Sequence, residues 1–363
     1  MINGINLREL AKVSSNDRAF LSVYLSGPGS WEKLGSRVQT IEKMLAGSAD
    51  ELAEFKENLK QVRAYLGKNP HREGSLCLFC CRLLDFFKSY SLERPVKDLI
   101  RIGPSPYLRP IAELREDYES IAVVAASNER TRIFLVTAAA AEQEETIKGG
   151  IKNHVKVGGW SQQRYERRRD KALHHYAREV VDSLAQLERE ESFRHILLVG
   201  SRETIGEIAK NLPPALAAKL TGEKALDLSR GEGYLHREVL DLFDEQERRS
   251  EADLWHKIQG RYLRGEPAAV GPDEVLEAAL AGRVEMAVVN RGARVAGSRC
   301  RGCDRVYAGC LDRCPECGST SVYGMDPVNE LVERLALTGA SLEFVEPLEG
   351  LKNVGEIAAL LRY

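Results

Sequence analysis

Two groups of residues have types and spacings that could carry chemistry. The first is VKVGGWSQQRYERRRDKALHHYAREV, residues 155–180, where a glycine pair, Gly158 and Gly159, runs into amides and then arginines. Glycine adopts backbone conformations closed to other residues, and arginine binds phosphate through several donors. Residues 148–178 contain nine Lys or Arg and two acidic residues, in a chain of net charge −2. Phosphate affinity is therefore predicted at one place on an otherwise acidic protein.

The second group is a pair of CxxC motifs separated by ten residues, within residues 298–320. This is a zinc-ribbon spacing, because each CxxC turn can aim two thiolates at one tetrahedral ion. We expect one structural Zn²⁺, and we assign the site no catalysis because four sulfurs close it. Cys310 is a spare thiol that could replace Cys314 as a ligand. The predicted ligands are Cys300, Cys303, Cys314 and Cys317.

A third set of cysteines lies in an apolar run. Cys77, Cys80 and Cys81 belong to LCLFCCRLL, and free cysteine in such a setting behaves as a small hydrophobic residue. We expect them to be buried on a strand and to bind nothing.

Composition and length bound the alternatives. The chain has 363 residues, of which 43% are hydrophobic and 29% charged, so it is globular and long enough for two or three domains. No apolar run reaches membrane length. The N-terminal residues MINGINLREL lack the apolar core of a signal peptide. We expect a cytoplasmic protein with reduced cysteines and no membrane partner.

Hydrophobic periodicity indicates the elements that must position these residues. The first segment shows a strand at 20–25, two helical patterns joined by the turn AGSAD at 46–50, which are expected to pair as an antiparallel hairpin, and a buried strand SLCLFCC. The middle segment shows paired strands at 120–126 and 131–140, the glycine loop with its basic helix, a buried strand at 195–201 and a helix near 203–211. This order favours a mixed or parallel sheet. The third segment shows helices at 273–282 and 327–339 and strands at 285–290 and 341–347, with the cysteine insert between them.

The order of these parts resembles the archaeal and eukaryotic class-1 peptide chain release factors. The resemblance lies in VLEAALAGRVEMAVV, the CxxC insert and VGEIAALLRY in the third segment, and in LPPALAAKLTGE in the middle one. The loop GGWSQQRY stands where that family carries Gly-Gly-Gln followed by a basic helix. The resemblance implies an α/β (α+β) fold with three domains. These are an N-terminal α/β domain with a helical hairpin (1–112), a middle catalytic domain (113–234), and a C-terminal α/β domain with the zinc-ribbon insert (235–363).

Two departures from the family refine this expectation. Trp160 occupies the position of the family's catalytic glutamine, and Gln162 follows Gly159 by three residues. The resulting Gly-x-x-Gln is similar to the loop of the peptidyl-tRNA hydrolases of ribosome quality control, a branch with bacterial members. The hairpin turn AGSAD contains neither the stop-codon-reading Asn-Ile-Lys-Ser nor any basic residue. The resemblance therefore implies hydrolysis of the peptidyl-tRNA ester without codon reading, on stalled or split ribosomes.

The resemblance implies that the glycine loop and the basic helix enter a site crowded with RNA phosphates, and this gives each residue a role. Gly158 and Gly159 would form a narrow tip, Gln162 would orient a water molecule, and Gln163 is its rival for that role. Trp160 could stack on an RNA base. The implied partners are the large ribosomal subunit, its rRNA and peptidyl-tRNA, and a translational GTPase or splitting factor is left open. The predicted phosphate contacts are Lys152, Lys156, Arg164, Arg167, Arg168, Arg169 and Lys171.

Two alternatives stay open at this point. One is a non-catalytic ribosome-rescue factor resembling pelota, whose middle domain binds RNA and hydrolyses nothing. The retained variant of the glycine-glutamine tip favours the hydrolase, because pelota-type domains lack that tip. The other is an endonuclease that cuts near the 3′ end of tRNA, since the same basic loop would bind the same RNA.

Overall fold

The computed structural model describes residues 5–69, 74–92, 95–117, 121–137, 140–148, 160–190 and 193–363. Residues 116–117, 137, 140–148, 160–168 and 232 are described by their backbone alone. The chain divides into two compact units. A middle unit spans Glu116–Asp253, and a terminal unit combines Met1–Arg115 with Leu254–Tyr363. The mixed α/β class is confirmed, and the three-domain division at 112/113 and 234/235 stays a prediction.

The N-terminal part of the terminal unit is an antiparallel sheet covered by helices. The predicted helices form and share one core with the sheet, in which Val38, Ile41, Phe55 and Leu59 pack beside Leu21. The sheet has the order β3-β2-β1-β4, with β1 (Phe20–Leu25), β2 (Ser75–Cys81), β3 (Phe86–Leu92) and β4 (Leu99–Gly103). The helices are α1 (Leu7–Leu10), α2 (Ser30–Lys33), α3 (Gly35–Met44), α4 (Ala49–Lys68) and α5 (Arg109–Asp117).

The middle unit is a five-stranded mixed sheet with helices on both faces. Its order is β7-β6-β5-β8-β9, in which β8 runs parallel to β5 and β9, while β6 is antiparallel to β5 and β7. The strands are β5 (Ile121–Ala126), β6 (Arg130–Thr137), β7 (Ala140–Lys148), β8 (His195–Gly200) and β9 (Leu220–Ala225). The helices are α6 (Trp160–Glu190), α7 (Arg202–Asn211), α8 (Pro214–Ala217) and the first part of α9 (Glu232–Leu263), whose residues from Leu254 onward belong to the terminal unit.

Alternation along the strands gives each face of this sheet its own core. Val124 of β5 packs with α6 and α7, whereas the neighbouring Val123 packs with α9, as the two-residue period of a strand requires. Gly200 ends β8 at φ +127°, where a Cβ atom would lie 2.1 Å from the Ala126 carbonyl oxygen. Only glycine therefore permits this close approach of the two strand ends.

The C-terminal part of the terminal unit contains a second mixed sheet and a small three-stranded sheet. The first has the order β10-β16-β11-β15 and the second β13-β12-β14. The strands are β10 (Ala268–Val270), β11 (Val284–Asn290), β12 (Gly297–Cys300), β13 (Val306–Ala308), β14 (Val322–Met325), β15 (Ser341–Val345) and β16 (Ile357–Leu361). The helices are α10 (Pro272–Leu280), α11 (Pro327–Thr338) and α12 (Glu349–Lys352). Among the described residues, no helix combines the length and apolarity that crossing a bilayer demands.

Candidate RNA-binding helix and candidate metal centre

Helix α6 begins at Trp160, immediately after the glycine pair. It is 31 residues long, and the first N–H groups of such a helix have no partner within the helix. Its N-terminus therefore favours negative charge.

Most of the residues that the sequence assigns to this site lie outside what the structure describes. Gly158 and Gly159, with Lys152 and Lys156, lie in 149–159, a segment outside the described residues. The backbone places the remaining ones in the first turns of α6, and their side chains are outside the described set. These are Trp160, Gln162, Gln163, Arg164, Arg167 and Arg168.

The body of α6 is fixed to the middle sheet. Leu173, Val180 and Leu184 are buried against the sheet, as the predicted helical face requires. The Tyr176 hydroxyl donates a hydrogen bond of 2.8 Å to the Thr131 hydroxyl of β6. Near the other end, Lys219 forms an ion pair with Glu188 of α6. The body of α6, from Leu173 to Glu188, is thus anchored to the middle unit.

Two predicted phosphate contacts have described side chains, and their surroundings differ. Arg169 forms an ion pair with Glu203 of α7, and only 15% of its side chain is exposed. Lys171 is exposed, and no ion pair to it is found in the described part of the chain. Arg169 thus has a partner within the protein, whereas Lys171 faces solvent.

The acidic partners on α7 are residues that sequence reasoning missed. His174 Nδ1 lies 3.0 Å from Glu207 Oε1, and this hydrogen bond is the largest of the interactions that lower the pKa of Glu207. Glu203 and Glu207 are four residues apart and so lie on one face of α7. Two glutamates four residues apart, on a helix predicted next to a basic one, were the pattern from which these ion pairs could have been predicted.

The four predicted metal ligands converge. Their sulfur atoms all lie within 4.8 Å of one another, with Cys300 Sγ 3.5 Å from Cys317 Sγ and Cys303 Sγ 3.5 Å from Cys314 Sγ. Four sulfurs placed 2.3 Å from a tetrahedral ion are separated by about 3.8 Å. The arrangement therefore fits a metal ion. Cys310 is exposed and lies outside this group, so the structure assigns the ligand position to Cys314.

Backbone geometry shapes this cysteine module, residues 297–325. The Gly302 N–H group lies 3.3 Å from Cys300 Sγ, and a Cβ atom at Gly302 would lie 3.3 Å from Cys317 Sγ. The backbone N–H of Cys317, followed by the Tyr307 hydroxyl, lowers the pKa of Cys314 to about 6. Because the thiolate is the form that binds metals, the module favours a ligand-competent Cys314.

The sequence of this chain is similar to those of known release factors. Residues 106–248 match the model of the Bacterial archaeo-eukaryotic release factor family 10. Peptide chain release factor subunit 1 of Thermococcus onnurineus is 24% identical over 300 residues, which cover 73% of this chain and 71% of that protein. The same factor from Pyrococcus abyssi is 23% identical over 299 residues, with the same coverage.

Two solved structures are similar to this chain at low sequence identity. An archaeal translation termination factor is 16% identical and covers 98% of this chain, with 96% of its own chain matched and a TM-score of 0.28. Pelota from Archaeoglobus fulgidus is 17% identical, with 76% of this chain and 75% of that chain covered and a TM-score of 0.29.

Proposed function

Because this chain belongs to the class-1 release-factor-like superfamily, we propose that it is a ribosome-associated peptidyl-tRNA hydrolase of the Gly-x-x-Gln branch. It cleaves the ester between peptide and tRNA on stalled or split ribosomes. The observation that supports this most is the start of α6 at Trp160, directly after Gly158-Gly159, within the family-matched segment. The activity and its residues are our proposal.

The proposed chemistry is positioning rather than general base catalysis, since an amide is a poor base. Gln162, the third residue of α6, orients the attacking water. The developing oxyanion is stabilised by an N–H group of the loop or of the first helical turn, where unpaired donors and the helix dipole both favour negative charge. The glycine pair supplies a tip without side chains for a crowded site.

The basic residues of the loop and of early α6 are proposed to contact RNA phosphates, with Trp160 stacking on a base. Arg169 differs from the others because Glu203 already holds its guanidinium. It therefore contributes less to RNA affinity than the exposed Lys171. Phosphate contacts of this kind position the protein without reading sequence.

Codon reading is absent from the proposed function. The turn between α3 and α4, Leu45–Ser48, contains no basic residue, and hydrogen bonds to base edges are what sequence recognition requires. We expect equal release rates from complexes programmed with a stop codon, with a sense codon and with no messenger. Clear preference for a stop codon would mean that the first segment decodes.

The ion in the cysteine module is proposed to be Zn²⁺ with a structural role. Four cysteine sulfurs supply the complete tetrahedral set that closed zinc sites use, and thiolate ligands select zinc over magnesium or calcium. With every position taken by protein, the ion has no open site for substrate. It therefore stabilises the fold and takes no part in ester hydrolysis.

The decisive experiment measures release of labelled peptide from purified large subunits carrying peptidyl-tRNA. Gln162→Ala is expected to lose a factor of about 10²–10³ in rate, the scale of removing one preorganised polar group, with binding to the subunit retained. Gln186→Ala is the matched control, because Gln186 lies on the same helix and its side-chain amide donates a 2.9 Å hydrogen bond to Glu190 of that helix. It should release peptide at the wild-type rate.

The same assay separates the alternatives. Full activity of Gln162→Ala with loss in Gln163→Ala would move the catalytic role to Gln163. Binding without release by the wild-type protein would support the non-catalytic rescue factor. Free tRNA with an intact 3′ end identifies a hydrolase, whereas a shortened tRNA identifies an endonuclease.

A further inference from the structure

A cleft in the terminal unit has no part in the proposed hydrolysis. It lies between β4, the segment that leads from β4 to α5, the loop 291–297 and the start of α11. Its volume is about 820 Å³, which is far more than a single bound ion occupies. Three arginines and one aspartate line it: Arg101, Arg109, Arg294 and Asp326.

One of these arginines is structural. Arg109 Nε lies 2.8 Å from Glu113 Oε1, and its Nη1 lies 3.4 Å from Asp326 Oδ2 and donates to the Ala293 carbonyl oxygen at 2.9 Å. It is buried, with two acidic partners. Arg109 therefore holds the loop 291–297 to the N-terminal part and has little charge to offer a ligand.

The other two arginines are uncompensated. Arg101 and Arg294 are both exposed, and no acidic partner of either is found within the described part of the chain. The Arg101 guanidinium carbon lies 5.5 Å from the centre of the Tyr107 ring. The Tyr107 hydroxyl donates a 2.7 Å hydrogen bond to Asp326, so the ring is fixed as a wall of the cleft. Arg101 thus lies over the fixed ring of Tyr107, and Arg101 and Arg294 both keep their charge for a ligand.

We infer that this cleft binds a single-stranded stretch of RNA through its phosphates. Arginine presents paired donors that match a phosphate, and cationic grooves with an aromatic face are how proteins hold single strands without sequence preference. An acidic peptide would use the cations but has no base to stack on the Arg101 guanidinium. The choice of RNA rests on the proposed ribosomal function, and it gives the terminal unit an RNA contact of its own.

The test is the binding of a labelled oligouridine by the full chain, measured across a salt series. The double variant Arg101→Ala/Arg294→Ala is expected to weaken binding by about 10-fold or more. It should also reduce the slope of log affinity against log salt by about 1.4, since each phosphate contact on a single strand contributes about 0.7. The control is Arg37→Ala/Arg63→Ala, which removes the same charge from exposed positions on α3 and α4.

Three outcomes overturn or separate the claims. If the cleft variant and the control lose the same affinity for oligouridine, the cleft is not an RNA-binding site. Tighter binding of a polyaspartate than of oligouridine would assign the cleft to an acidic peptide instead. Wild-type protein that binds oligouridine through the cleft but releases no peptide would refute the hydrolase alone, so failure of the cleft and failure of the hydrolase are distinguishable.

A second, independent observation concerns Arg301, which lies between the metal ligands Cys300 and Cys303. Its Nε lies 2.9 Å from Asp17 Oδ1, and its guanidinium also pairs with Glu51 in the first turn of α4. Arg18 shares the same carboxylate at 2.6 Å. The CxxC turn is thereby docked on the N-terminal part of the unit through a side chain of the turn itself.

The ion pair between Arg301 and Glu51 forms only when the CxxC turn holds Arg301 next to Glu51. Glu51 is only 5% exposed. Burial raises its pKa, but the hydrogen bonds and charges of Arg18 and Arg301 outweigh this effect, so the pKa is lowered. A buried carboxylate that loses one of its cations is costly. We propose that metal bound by the cysteines fixes the turn and so stabilises the first turn of α4.

Hydrogen exchange with and without a chelator tests this coupling. Chelation should raise exchange at 16–18 and 48–52 by about 10-fold in the wild type, because opening there becomes easier. Arg301→Ala should show the raised exchange with metal bound and no further rise on chelation. The control is Arg305→Ala, whose 3.4 Å partner Glu316 lies within the module; it should respond like wild type. Identical chelator responses in all three proteins would exclude the coupling.

Discussion

The two groups of closely spaced cysteines are alike in sequence and opposite in structure. Cys80 packs into the core under α3 and α4, whereas Cys81 packs with Phe20 on the other side of the sheet, because successive residues of a strand face opposite ways. In the module, turns between short strands bring two distant pairs of sulfurs together. Spacing alone therefore does not make a metal site, since a turn is needed to point two sulfurs the same way.

The pKa values of the strand cysteines and of Cys314 in the module are shifted in opposite directions. Burial raises the pKa of Cys77 far above its usual range, and burial followed by the charge of Cys81 raises the pKa of Cys80 to about 12. In the module, the backbone N–H of Cys317, followed by the Tyr307 hydroxyl, lowers the pKa of Cys314. For Cys303 and Cys317, the backbone N–H groups of Arg305 and Ser319 are outweighed by desolvation and hydrogen bonds among the module sulfurs, so the pKa of each thiol is raised. The strand cysteines thus stay protonated as core residues, whereas in the module Cys314 is the thiol whose pKa favours thiolate.

The largest expected effect is loss of the metal. Cys314→Ser should reduce the metal content from one ion per chain to near zero. It should also remove most of the roughly 10–16 kcal/mol that a four-ligand zinc site provides. Elemental analysis and thermal unfolding measure the two effects. Cys310→Ser is the control and should keep the metal; loss of the ion there and not in Cys314→Ser would reverse the ligand assignment.

Alkylation of the native protein at pH 8 should separate the groups by rate. A thiol with a pKa of about 12 is ionised in about one molecule in 10⁴ at that pH. The exposed Cys310 should therefore react at least about 10³-fold faster than Cys80. Mass spectrometry of the digested protein gives the rates. The four predicted metal ligands should become reactive only after chelation: Cys300, Cys303, Cys314 and Cys317. Reaction of any of these four in the metal-loaded protein would contradict the metal site.

A smaller effect on the free energy of unfolding is expected when a hydroxyl replaces the Cys77 thiol in β2. Cys77 is fully buried, and no hydrogen bond to its sulfur is found among the described residues. Cys77→Ser should therefore cost about 1–3 kcal/mol of unfolding free energy, the cost of burying an unpaired hydroxyl. Denaturant unfolding measures it, with Cys77→Ala as the control for lost packing. Metal content should be unchanged, and a fall would show that the two groups are coupled.

Elements with strong hydrophobic signals could be predicted from the sequence, and elements that depend on distant partners could not. The strands at 20–25 and 195–201 form as expected, because continuous apolar runs favour buried strands. Strand β7 was missed, since AAEQEETIK reads as polar. The 32-residue helix α9 was also missed; its early residues pack on the middle sheet and its late ones on β11 and β16, so no single apolar face marks it.

The candidate sites divide in the same way. The cysteine spacing predicts the cluster because the chemistry of four sulfurs is local to two turns. The pairing of Arg301 with Glu51 spans 250 positions along the chain, and no local pattern indicates it. The glycine loop and the amide side chains lie outside the described residues, so their geometry remains a prediction.

The division of the terminal unit between both ends of the chain sets an order of assembly during synthesis. The middle unit is continuous, from Glu116 to Asp253, and can fold as soon as it has emerged, because domains fold as units. Residues 1–115 emerge first but wait for partners such as Glu333, which accepts a hydrogen bond of 2.5 Å from Ser105. Residues 1–115 are thus completed only after the C-terminal part of the terminal unit has been synthesised.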